Sequence, residues 1–144
     1  MLKHIPPILG PELLSTLRAM GHGDEIVIAD ANFPAAFLGP RVIRADGIPA
    51  TDMLDAILTV LPLDDFVGEA AIGMAVVGDP TASPPIFGLF ADILGRHEPG
   101  RGFSTIERFA FYDRARRAAA VVQTGEGRLY GNILLKKGVI RPNS

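Results

Sequence analysis

The chain has 144 residues, enough for one domain, residues 1–144, that buries a core without covalent staples. Its 14 basic and 16 acidic side chains leave a net charge of −2 with no basic stripe, which excludes a nucleic-acid surface as its natural partner. With no cysteine it has no disulfide, no Cys-ligated zinc and no thiol nucleophile, and its apolar residues fall in runs far short of the roughly 18–20 a membrane helix needs. A mean hydropathy of +0.27 instead points to a compact α/β core and a buried subunit interface. Met1 to Pro7 contains no long apolar run of the secretory kind, so the expected location is the cytoplasm.

In chain order, Pro11 suits a first helical position, and Leu13, Leu14, Leu17 and Met20 share the face of a helix packed on a sheet. Gly21 supplies the stop. Glu25 to Asp30 is a short strand rich in Ile and Val, broken by Ala31-Asn32-Phe33-Pro34, and Arg41 to Arg44 is a second. Thr51 is a good N-cap for a helix with Leu54, Ile57, Leu58 and Leu61 inward, ended by Pro62. Ala70 to Val77 is apolar on both parities, as a strand buried on both faces would be. Pro84 and Pro85 open a helix that ends at Gly95, with Phe87, Phe90, Ala91 and Leu94 inward. A short strand over Ser104 to Arg108, a helix over Phe109 to Arg117, a strand over Ala118 to Thr124, a turn at Gly125-Glu126-Gly127 and a last strand over Ile133 to Leu135 complete the chain. Strands alternating with amphipathic helices predict a layered α/β/α fold with a largely parallel sheet.

The candidate chemistry centres on Gly21-His22-Gly23-Asp24. Imidazole exchanges protons near neutrality, and flanking glycines allow close approach of a ligand. The alternative is a helix-terminal histidine favoured by the C-terminal dipole. His4 and His97 lie in polar, loop-like surroundings and read as bystanders. Asp30, at the C-terminal end of a strand where α/β sheets place their crevices, is expected to pair with His22 as the start of a polar site. Asp24 reads as a turn residue. Asn32, Arg108, Tyr112, Tyr130 and Asn132 are further hydrogen-bonding groups near element ends. Phosphate-binding glycine loops, metal motifs and a nucleophile elbow are absent. What remains is a cofactor-free, metal-free set of His, Asp, Arg, Tyr and Asn suited to a polyol.

Gly21 to Pro34 resembles the signature of the fucose mutarotase and ribose pyranase family, and Ile43 to Gly47, Glu107 to Ala115 and Leu129 to Gly138 are similar to its later motifs. The likeness runs from Met1 to about Val139. It implies a cofactor-independent isomerase that exchanges the α and β anomers of a free sugar. It also implies a homo-oligomer, often a decameric ring in bacteria, with active sites near subunit contacts. By that resemblance the catalytic histidine is His22; for the mechanism, Tyr130 or a bound water is the expected complementary partner. The sugar-binding groups are Asp30, Arg108, Tyr130, Gly131 and Asn132. Tyr130-Gly131-Asn132 and Arg108 favour the fucose-type branch, hence a fucose-like monosaccharide and no membrane or nucleic-acid partner. A ribose pyranase, a non-catalytic sugar-binding module and a structural oligomer are the competing readings.

Overall fold

The computed structural model describes residues 1–143. Eleven elements follow one another: α1 (Pro11–Ala19), β1 (Glu25–Ala29), α2 (Ala35–Leu38), β2 (Val42–Ala45), α3 (Ala50–Leu58), β3 (Ala71–Met74), α4 (Pro85–His97), β4 (Ser104–Ile106), α5 (Arg108–Arg116), β5 (Ala120–Thr124) and β6 (Ile133–Lys136). The strands form one sheet in the order β2-β5-β1-β6-β3-β4. β2, β5 and β1 pair in parallel, as do β3 and β4, whereas β6 runs antiparallel to both β1 and β3. The sheet is therefore mostly parallel but mixed, because the turn before β6 reverses the chain.

Alternation along the strands builds two cores. Ile26 and Ile28 of β1, Ala120 and Val122 of β5, and Ile133 and Leu135 of β6 face the layer of α1, α3 and α4. Val27, Ala29, Val121 and Leu134 face α2 and α5. The central strands are apolar on both parities because both faces are covered. Each large apolar side chain buried this completely, Phe90 and Phe111 among them, stabilises the fold by about 1.5–3 kcal/mol. Among the described residues no helix is long and apolar enough to cross a membrane.

Several boundaries differ from the sequence reading for local reasons. The N-cap of α3 is Pro49 rather than Thr51. The Ala50 amide is satisfied instead by the Glu126 carboxylate at 3.1 Å, which frees Thr51 to accept from Arg128 at 3.0 Å. α4 runs through Gly95 to His97, whose imidazole lies 2.6 Å from Asp55 on α3; His97 thus lies on a helix and links it to another, not in a loop. Arg108 begins α5 rather than ending β4, because the Glu107 carboxylate caps that helix by accepting from the Phe109 and Ala110 amides.

Beyond β6 the chain packs on residues 62–64, with the Gly138 amide donating to Pro62 O at 2.8 Å. A Cβ on Gly138 would press on the Leu63 carbonyl and lie 2.8 Å from Asp64 Cα, backbone that has nowhere to go. Gly88, in the exposed interior of α4, has open space around it. Urea unfolding should show Gly138→Ala losing about 1–3 kcal/mol and Gly88→Ala gaining about 0.5–1 kcal/mol. An unchanged midpoint for Gly138→Ala would refute the packing described here.

Candidate active site

Five strands point one way and β6 points back, so the residues preceding β6 emerge at the C-terminal end of the sheet between β1 and β3. There Asp30 meets Asn132. The Asp30 amide donates to Asn132 Oδ1 at 2.8 Å, and Asn132 Nδ2 donates back to Asp30 Oδ2 at 3.3 Å. Asp30 Oδ1 also accepts from the Asn32 amide at 2.9 Å, so Asn32 shapes the turn through its backbone. Asp30 is 6% exposed, and burial pushes its carboxyl above the usual aspartate value against the pull of these hydrogen bonds. The Phe33 and Gly131 amides also pull on this carboxylate, more weakly, so a ligand hydroxyl would share its acceptor sites with them.

Tyr130 adopts φ 60°, a left-handed conformation costly for a residue with a side chain. Its phenolic oxygen accepts from the Val77 amide at 3.1 Å, which leaves its own proton free to donate. The ring lines a cavity of about 610 Å³ with Val76, Pro84, Pro85, Ile86 and Leu129. On the other side of Val76, Arg108 lines a second cavity of about 340 Å³ with Val77, Pro80 and Ile106. The Arg108 guanidinium lies over the Phe109 ring at 4.5 Å, and its buried Nε has no hydrogen-bond partner among the described residues. Arg108 stands three strand spacings from Asp30, roughly 14 Å, so a ligand touching both would lie across the front of β6 and β3. Tyr112 packs edge-on against Phe33 and Phe109, joining the Asp30 loop to α5.

His22 lies elsewhere. It precedes β1, whereas Asp30 follows it, and the strand between them spans roughly 16 Å. The expected His22–Asp30 pair therefore does not form within one chain. The imidazole Nε2 is instead 3.0 Å from Asp64 Oδ1, with the Phe66 ring 4.9 Å away. The Asp64 carboxylate is almost fully buried while the imidazole is 42% exposed. The Phe66 amide and then His22 hold the Asp64 carboxyl below the usual aspartate value. With Asp64 as the acceptor at Nε2, the tautomer this contact favours carries its proton there and leaves Nδ1 as the acceptor nitrogen.

Nor does His22 cap α1. The Leu17 and Met20 carbonyls accept from Lys137 Nζ at 2.6 and 2.7 Å. Asp24 is the turn residue expected of it, accepting from the Gly21 amide at 2.8 Å, and Gly23 turns at φ 87°. Two groups escaped the sequence reading. Asp64 lies 42 residues from His22 in a stretch without periodicity. Glu126, flanked by glycines, reads only as part of a turn but is 4% exposed. No local signal marks either as buried.

One end of the sheet thus offers a carboxylate, an amide, a phenol and a guanidinium, the other an oriented imidazole, a combination suited to small polyhydroxylated molecules. Residues 3–140 match the model of the RbsD / FucU transport protein family, and the chain belongs to that family. Among solved structures it is similar to FucU from Bifidobacterium longum, with 43% identity over 96% of this chain and 100% of that one, at a TM-score of 0.91. It is similar to the fucose mutarotase from Streptococcus pneumoniae in complex with L-fucose, with 44% identity over 97% and 100% of the two chains, at a TM-score of 0.90. Bacillus subtilis RbsD complexed with D-ribose is more distant, at 27% identity over 98% and 100% of the chains and a TM-score of 0.76.

The carboxyls carry a stability signature. Glu126 is held below the usual glutamate value chiefly by Arg128, and Asp64 is lowered as described. A lowered folded pKa contributes stability that is complete above the unfolded value and lost as pH falls through the folded one. Asp30, raised by burial, works in the opposite sense, costing stability as pH rises through its folded pKa. The melting temperature should therefore fall steeply below about pH 4.5, and less steeply in Asp64→Asn. Equal acid slopes in the two proteins would contradict the assignment for Asp64.

Proposed function

We infer that this chain is an L-fucose mutarotase, an isomerase that exchanges the α and β anomers of the free sugar without a cofactor. The observation that carries this reading is its likeness, at 44% identity over 97% of the chain, to a fucose mutarotase solved with L-fucose. The ribose-bound relative shares 27%. Asp30 and Asn132 would accept and donate hydrogen bonds to sugar hydroxyls, and the unpartnered Arg108 Nε would donate one more. Gly131 suits the fucose-type turn, because a Cβ there would lie 2.7 Å from Glu126 Cγ and 3.1 Å from Ile86 Cδ1.

Anomer exchange requires the C1 hydroxyl to lose a proton while the ring oxygen gains one. In the mechanism we propose, His22 Nδ1 takes the first proton and the resulting imidazolium is stabilised by Asp64. Tyr130 gives its proton to the ring oxygen, the C1–ring oxygen bond breaks, and the open aldehyde rotates about C1–C2. Reclosure on the other face returns both protons to their original groups. General acid–base help of this kind is worth about 10²–10⁴-fold, a useful gain for a reaction that already proceeds in water.

His22 and Asp30 cannot meet within one chain, so the proposed site draws His22 from a second copy. Exposed apolar side chains rim both halves, which supports this arrangement. Phe66 lies against His22, Leu129 beside Tyr130 and Phe109 under Arg108, and they are 65%, 70% and 59% exposed. Contact between copies would cover them. The assembly we propose is a homo-oligomer, a decameric ring in the form the family resemblance implies, and cytoplasmic residence belongs to the same reading.

His22→Gln should fold normally yet lose about 10²–10⁴-fold of the anomer exchange seen by NMR saturation transfer with L-fucose, ribose serving as comparison. Normal exchange in the folded variant would sink the role of His22. Coexpression of His22→Gln with Asp30→Asn should restore up to about a quarter of wild-type exchange, the share of sites pairing two intact halves in a random assembly. Without that recovery the two-copy site is wrong, though the mutarotase reading survives.

A further inference from the structure

Glu126 is a buried carboxylate that the proposed mechanism does not use. Oε1 accepts from the Ala50 amide at 3.1 Å and from the Arg128 guanidinium at 2.7 Å. Oε2 accepts from the Arg128 amide at 2.9 Å and from Arg128 Nε at 3.0 Å. Four donors occupy the about four lone-pair sites of a carboxylate, so Glu126 has no capacity left for a sugar hydroxyl. Whatever it contributes to the site, it contributes through its neighbours.

Those neighbours are the sugar-facing residues. The Glu126 carbonyl accepts from the amide of Ala31, the residue after Asp30, at 2.9 Å. Its amide donates to Thr124 Oγ1 at 3.2 Å, and that hydroxyl donates to the carbonyl of Ala29, the residue before Asp30, at 2.7 Å. Asp30 is therefore tied on both sides to the segment that carries Glu126. On the other flank a Cβ at position 131 would lie 2.7 Å from Glu126 Cγ, so the backbone between Tyr130 and Asn132 rests on the Glu126 stem. Arg128 extends the network to Thr51 on α3 at 3.0 Å. The left-handed Tyr130 conformation lies within this frame, and strain of that kind persists only where the surroundings over-determine it.

We propose that Glu126, locked by Arg128, is a positioning residue: it sets Asp30 and the Tyr130-Gly131-Asn132 turn against each other and so governs sugar affinity at a site it does not touch. The inference rests on the mutarotase reading above. Glu126→Gln keeps the side-chain shape and an acceptor for Ala50 but sets an amide against the Arg128 donors. In the full-length protein it should raise KM for L-fucose about tenfold, the scale of one lost charge-assisted hydrogen bond, with a much smaller change in kcat. A role in stability alone would lower the melting temperature and leave KM unchanged.

Arg128→Ala provides the second arm and decides the matter if Glu126→Gln does not fold. Its KM should rise likewise and recover when millimolar guanidinium ion is added, whereas Glu126→Gln should not recover. Unchanged KM in both folded variants, or no guanidinium rescue of Arg128→Ala, overturns the proposal. Absence of fucose exchange in the wild type would remove the parent reading and this inference with it. Wild-type exchange alongside unaltered variants removes the inference alone.

Discussion

The antiparallel insertion of β6 between β1 and β3 is the constraint on which the rest depends. In an all-parallel sheet the loops at the C-terminal edge would come from strand exits alone. Here the entry to β6 lies among the exits of β1, β3, β4 and β5, and Tyr130-Gly131-Asn132 arrives beside Asp30. The register, with Ile28 opposite Ile133, places Asn132 one residue beyond a paired position on β6, as Asp30 follows Ala29 on β1. Their two reciprocal hydrogen bonds thus continue the ladder in side-chain form. The same reversal delivers Lys136 and Lys137 to the opposite edge, where the Gly23 amide donates to Lys137 O at 2.8 Å and the Asp64 amide to Lys136 O at 3.0 Å. One strand therefore braces both the Asp30 edge and the histidine edge.

The elements that rest on local chemistry were legible in the sequence. Pro11 opens α1, the β1 run of Ile and Val is buried on both faces, and Pro85 opens α4. Long-range features were not. Nothing in Ile133-Leu134-Leu135 fixes strand direction, which depends on which neighbours it meets. Asp64 gives no sign of its partner until residues 62–64 pack on the end of β6. Glu126 passed as an ordinary turn residue, because its burial requires Arg128 and the start of α3 to arrive from different parts of the chain. Of the candidate site, the polar residues at the C-terminal edge were singled out as a group, but not the direct Asp30–Asn132 hydrogen bonds. His22 was singled out with Asp30, and within one chain it meets Asp64 instead.

That separation within one chain is informative. Intervals along a strand place alternate residues on alternate faces, but they cannot place residues from opposite ends of it in one site. A histidine before β1 and an aspartate after it face different edges. If both serve one sugar, as proposed, the chain must meet another copy. The exposed aromatic and aliphatic rims beside each half supply the apolar area such a meeting would bury.

The two halves also differ in how they treat charge. Asp30 is buried at a cost, its carboxyl pushed up by desolvation, and is held for its acceptor geometry. Asp64 and Glu126 are buried with enough donors to favour the ionised form. The stabilised carboxylates therefore sit behind the groups assigned to chemistry, Asp64 behind His22 and Glu126 behind the Tyr130 turn, while the destabilised one faces the proposed ligand. That order is physically reasonable. Supporting groups are satisfied within the fold, so their geometry survives each turnover, whereas a front-line carboxylate that is desolvated gains most from a hydroxyl donated by the sugar. Removing the supports would loosen the front without emptying it, which is why affinity, rather than folding alone, is the property through which the Glu126–Arg128 pair should be felt.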